Sequence, residues 1–181
     1  MNDEPRDELA AANRLLLAAA EGRRRLDGDE LRSVLEQVAP AGFHPTSLEQ
    51  ARGRLRGIAW RGRVLAGRDR LPAAEAHYLR HVVVGQEWPA GTTLTQYLAS
   101  IRDVILDPAS GVLIGRYSGE WQLTVVRRSG ALRGSQGFEW VMVDYRVSIG
   151  HWVTAHQLAA GLSAVTASPL RERLQWLRPA T

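Results

Sequence analysis

Apolar residues recur every three or four positions through the first part of the chain and every second position later on. Leu9, Ala12, Leu16 and Ala19 fall on one face of a helix predicted over residues 6–21, which Gly22 can end. Leu31, Val34, Leu35 and Val38 form the stripe of a second helix from Asp27 to Val38, stopped by Pro40 and Gly42. Thr46-Ser-Leu-Glu49 has capping-box spacing and predicts a third helix carrying Leu48, Ala51 and Leu55. Residues 57–70 hold no clear period and read as a join. Pro72 and Gly85 bracket a helix over 72–84. Thr93-Leu-Thr-Gln96 opens another, with Leu94, Leu98, Ile101 and Ile105 inward.

After Gly111 the period becomes two. Strands are predicted at Val112–Tyr117, around Trp121, Leu123 and Val125, at Phe138–Val147 and at His151–Gln157. A Gly-rich loop, Ser129–Gly137, reads as a mobile connector able to lie over nucleic acid. A last helix is expected from Ser168-Pro169, using Leu170, Leu174 and Leu177. Helices first and strands later predict an α+β fold: an N-terminal helical segment, then helices packed on a four-stranded antiparallel meander sheet. Two units are expected. Residues 1–70 form a helical partner-binding, regulatory or delivery segment, and residues 71–181 an α+β domain.

Composition narrows the function classes. The 181 residues are 45% hydrophobic and 23% charged, which excludes a disordered chain. There is no apolar run long enough for a membrane span. The first residues lack the basic start and apolar stretch of a secretory leader, so the expected site of action is the cytoplasm. Cysteine is absent, which excludes disulfides and thiolate metal sites. All 23 basic residues are arginine, a planar fork suited to phosphate or carboxylate. Residues 1–50 set 6 arginines against 10 acids, and residues 51–80 set 8 against 2. A basic body behind an acidic leader is compatible with an anionic partner, or with mutual neutralisation of the two segments.

Four of the five histidines lie in the second expected unit, residues 71–181. His77 and His81, four apart on a predicted helix, share one face. Such a pair can bind metal, and a metal-dependent hydrolase would recruit Glu75, Glu87 or a remote histidine. It can equally act as base and acid, or simply pack. Alternation on the last strand puts Trp152, Thr154 and His156 on one face, a plausible polar floor for a cleft. Arg116, Arg127 and Arg146 stand on the strands and could meet phosphate. Other readings of these residues are a non-catalytic nucleic-acid binder, with the arginines gripping phosphate, and an interaction module without chemistry.

A resemblance adds to this. Residues 72–158 contain His77-Tyr-Leu-Arg-His81, Glu87, Tyr97-Leu98, Asp107-Pro108, Gly115-Arg-Tyr117, Val143-Asp-Tyr145 and Gly150-His-Trp-Val-Thr154-Ala. This order resembles the ribonuclease toxin domains of the barnase–EndoU–colicin–RelE superfamily, of contact-dependent and polymorphic toxin type. The resemblance implies a bacterial endoribonuclease toxin that uses no cofactor or metal and cleaves RNA by attack of the 2′-hydroxyl. It implies His81 as base, His77 or His156 as acid, Glu87 as a substitute base and Arg116 as stabiliser of the phosphorane. Thr154 would bond phosphate, Tyr145 would position a base, and Arg146, Trp152 and Arg127 would bind substrate. An antitoxin or immunity protein is the partner it implies besides RNA.

Overall fold

A computed structural model describes residues 4–181. Two helices come first, α1 (Glu4–Ala20) and α2 (Gly28–Val38). Asp27 caps α2: its carboxylate accepts from the Asp29 and Glu30 amides, and Glu30 reaches back to the Asp27 amide. Leu31, Val34, Leu35 and Val38 are buried, as the stripe requires.

The third helix does not form. Leu48–Gln50 is a strand, β1, and two short strands follow, β2 (Ala59–Trp60) and β3 (Arg63–Val64), paired with each other. β4 (Arg70–Pro72) pairs antiparallel with β1. Thr46 does not cap; its amide and hydroxyl meet Nδ1 of His44. Glu49 is drawn instead to His77 and Arg80. Tertiary ion pairing thus overrides the local capping signal.

Helix α3 (Ala73–Tyr78) runs on into a wider π-helical turn, Leu79–Val84. Helix α4 (Leu94–Leu106) has the full Thr93/Gln96 capping box and buries Tyr97, Ile101, Val104 and Ile105. The strands β5 (Gly111–Tyr117), β6 (Glu120–Arg128), β7 (Trp140–Arg146) and β8 (His151–Leu158) follow, then a short helix α5 (Ser163–Thr166) and β9 (Arg171–Arg178).

The expected four-stranded meander is corrected to a five-stranded antiparallel sheet of order β8-β7-β6-β5-β9, beside the two two-stranded ribbons. The extra strand is the segment expected to be the last helix. Two glycines of β5 admit it: a Cβ on Gly115 would lie 2.8 Å from Leu174, and one on Gly111 2.7 Å from the Trp176 ring. The leucine spacing mimics a helix, but the neighbouring edge is shaped for a strand.

One sheet face packs on the helices. Val112, Ile114, Leu123, Val125, Val141, Val143 and Tyr145 join Leu16, Leu35, Ile101 and Ile105 in one core. Leu113, Val126, Met142, Leu158 and Val165 make a small second cluster on the opposite face. That face is apolar at this end and polar toward Gln122, Arg146 and Thr154. Among the described residues, no helix is long and apolar enough to cross a membrane.

Candidate active site

The π-helical turn sets the geometry of the site. Its wide last turn ends with the Gly85 amide on the Arg80 carbonyl and the Glu87 amide on the His81 carbonyl, each at 2.9 Å. Gly85 is required there: a Cβ would lie 2.8 Å from the Arg80 oxygen and 2.9 Å from that of His81. Gln86 follows in the left-handed region (φ 51°), and the chain folds Glu87 back over His81. The Glu87 carboxylate then holds two groups. Oε1 is 2.8 Å from Nδ1 of His81, and Oε2 accepts from the Gln157 amide on β8 at 2.7 Å. Glu87 is therefore a tether between the turn and the edge strand, and not the free substitute base of the sequence reading.

The rings form a ladder. Phe43 stacks on His77 at 4.7 Å, His77 on His81 at 5.8 Å, and His81 on His156 at 5.4 Å between centroids. His77 is 4% exposed, and its Nε2 donates to Glu49 at 2.9 Å. Burial holds His77 below the usual histidine range, so it stays uncharged. Glu49 remains ionised, since the bonds from His77 and Arg80 overcome its own burial and bring it down to about 2. His77 is thus an interior strut rather than an acid facing substrate. His156 is lowered to about 4, chiefly by burial and next by the charge of His81. A neutral ring stacked beside a second ring that is hydrogen-bonded to a carboxylate can serve with it as a base and acid pair.

His156 opens into a cleft of about 330 Å³ on the polar face of the sheet, lined by Tyr117, Gln122, Asp144, Arg146, Thr154 and Arg171 among others. The Thr154 hydroxyl is 3.3 Å from Nδ1 of His156. Arg171 donates to Asp144 at 2.7 Å and to the Thr124 hydroxyl at 2.6 Å, and Thr124 itself donates to Asp144 at 2.6 Å. This fixes a guanidinium in the cleft floor. A larger cavity, about 460 Å³, lies beside the π-helical turn, but no acid, histidine or arginine lines it.

The structure brings together His81, His156, Thr154, Glu87 and Arg146, with His77 one ring behind. Four other residues of the sequence reading lie elsewhere. Arg116 faces the helix side, its guanidinium 5.0 Å over the Trp121 ring. Arg127 is bound to Asp107 at 2.8 Å. Tyr145 is buried and donates to Asn13; burial pushes it up to about 12. Trp152 is buried too, and its Nε1 donates to the Val38 carbonyl. Trp152 leaves the face of Thr154 and His156 because the β7–β8 register shifts: Asp144 pairs with Thr154, but Tyr145 pairs with Trp152. A bulge breaks the alternation on which the sequence reading relied.

The Ser129–Gly137 loop is docked rather than free. The Gly134 amide donates to the Glu87 carbonyl, Ser135 bonds Gln86, and Gln157 bonds the Leu132 carbonyl. Gly134 passes so close that a Cβ would lie 2.2 Å from the Gln86 oxygen. Among the described residues, no three His, Asp or Glu side chains are arranged to hold a metal ion. His77 and His81 stack face to face, each committed to a different carboxylate.

Sequence reasoning missed Arg171, Asp144, Thr124 and Glu49. Compared with protein-family models, with curated proteins and with solved structures, the chain gives no significant match in any of the three.

Proposed function

We propose that this protein is an endoribonuclease that cleaves RNA by transesterification without a metal. The observation that carries the reading is the stack of His156, held uncharged and lining an arginine-floored cleft, on His81, which Glu87 hydrogen-bonds. The roles are the reverse of those implied by the resemblance. His156 is the base, because it is unprotonated at neutral pH and can accept the 2′-hydroxyl proton. The 2′-oxygen attacks phosphorus, and the bond from phosphorus to the 5′-oxygen breaks. His81 gives that oxygen its proton. The products are a 2′,3′-cyclic phosphate and a 5′-hydroxyl end.

Arg171 takes the part assigned to Arg116. Asp144 and Thr124 orient it in advance, so charge growing on the phosphorane meets a fixed donor. Thr154 supplies a hydroxyl beside His156 for phosphate oxygen. Glu87 hydrogen-bonds Nδ1 of His81, fixing the ring's orientation, and anchors it to β8. RNA is the partner this reading requires; an inhibitor protein is implied by the resemblance alone. The test is end analysis of RNA incubated with the protein in EDTA. Cyclic phosphate and 5′-hydroxyl ends are expected. Binding without cleavage, with strong salt dependence, would favour the non-catalytic binder instead.

A further inference from the structure

We infer that the cleft floor reads a nucleobase, selecting cytosine or guanine over adenine and uracil. The inference rests on the reading above only in taking RNA as the occupant. Gln122 on β6 and Arg146 on β7 are direct cross-strand partners on the polar face, and both line the cleft. Gln122 is 3% exposed, and its Oε1 has no hydrogen-bond partner. Arg146 Nε is buried and likewise without a partner. The next row of the same face is saturated: Asp144 takes Thr124 on one oxygen and Arg171 on the other. Buried polar groups in native folds are paired, so these two adjacent unpaired ones, closed to solvent as they stand, mark the place where a small turn of the side chains toward the cleft lets an occupant supply the missing bonds.

The chemistry of that occupant follows from the array. Arginine presents two adjacent donors in a planar fork, and the glutamine oxygen adds one acceptor. Phosphate, which has acceptors only, would leave Gln122 Oε1 facing another oxygen. A planar edge reading acceptor, acceptor, donor satisfies all three. Cytosine has that order in O2, N3 and N4–H, and guanine has it in N7, O6 and N1–H. Adenine and uracil alternate acceptor, donor, acceptor, so in the same register two contacts of three are wrong. The Tyr117 ring bounds the cleft, with Arg171 on one face at 5.5 Å, and offers an aromatic wall to the base.

The experiment measures binding of the four nucleoside 3′-monophosphates, and maps cleavage positions on RNA of mixed sequence. The cytidine or the guanosine nucleotide should bind about tenfold or more tightly than those of adenosine and uridine. Gln122→Met, which keeps the shape and loses the acceptor, should shrink the ratio to about threefold or less. If its melting curve shows misfolding, Arg146→Lys, which keeps charge and loses the fork, is judged by the same ratio. Equal affinity for all four, no binding of any, or an unchanged preference in a folded variant overturns the inference. Cleavage at all four bases alike overturns it while leaving the nuclease reading intact. Selective binding without cleavage supports it and removes the nuclease reading.

Discussion

Nδ1 of His81 lies 2.8 Å from Oε1 of Glu87, and the other oxygen of that carboxylate holds the Gln157 amide of β8. One side chain therefore sets both the orientation of a ring and its distance from the strand that carries His156. Glu87→Gln keeps the size but removes the charge, and its amide would face the Gln157 N–H with a donor. RNA cleavage should fall by about 10²-fold or more, as for loss of a catalytic proton donor. Single-turnover rates on protein with a native circular dichroism spectrum decide this. A rate within about threefold of the parent would remove Glu87 from the mechanism.

The rate should depend on pH through His156. With its pKa held at about 4, activity rises as pH increases through that value and the ring becomes a base. A kcat/KM profile with its acid limb near pH 4 is expected. A limb in the ordinary histidine range, about 6.5, would assign the base to another group.

Stability should follow the same rings. An unfolded histidine takes up its proton near pH 6.5, whereas folded His156 resists until about 4, and His77 is lowered as well. Between these values the unfolded chain binds more protons, so stability falls as pH drops through that window. Glu49 acts in the next one: ionised down to about 2 in the fold, against 4.5 ordinarily, it loses its stabilising effect as pH falls below 4.5. Melting temperatures across this range test the order. His156→Ala should flatten the upper part, and an unchanged slope would contradict the burial assigned to that ring.

How much of this was legible in the sequence varies residue by residue. The capped helices are written in local signals, Asp27 with Glu30 and Thr93 with Gln96, and the structure has both boxes. His77 and His81 share a face, as their spacing requires. Thr154 and His156 share the cleft, as alternation requires. What escaped depends on contacts between distant positions. Glu49 left its capping role for His77, and Trp152 turned inward at a bulge that no local pattern announces. Leu170, Leu174 and Leu177 carry helical spacing, yet the segment completes a sheet because Gly111 and Gly115 on the neighbouring strand leave it room. Arg171 and Asp144 meet only through that sheet.

That ion pair carries its own prediction. Its side chains are each 6% exposed, so removing one partner leaves a charge stranded. Asp144→Ala should destabilise the fold by about 3–5 kcal/mol in chemical denaturation. Asp144→Leu combined with Arg171→Leu should cost much less in stability, while still abolishing cleavage through loss of Arg171. A double variant as unstable as the single one would mean that the pair is more than an electrostatic closure of the sheet.

The most direct measurement is total RNA incubated in EDTA with the parent protein, with His81→Ala and with His156→Ala. The account predicts cleavage by the parent and a loss of about 10²–10⁴-fold in each variant. RNA left intact by the parent, or cleaved equally by all three folded proteins, would contradict it.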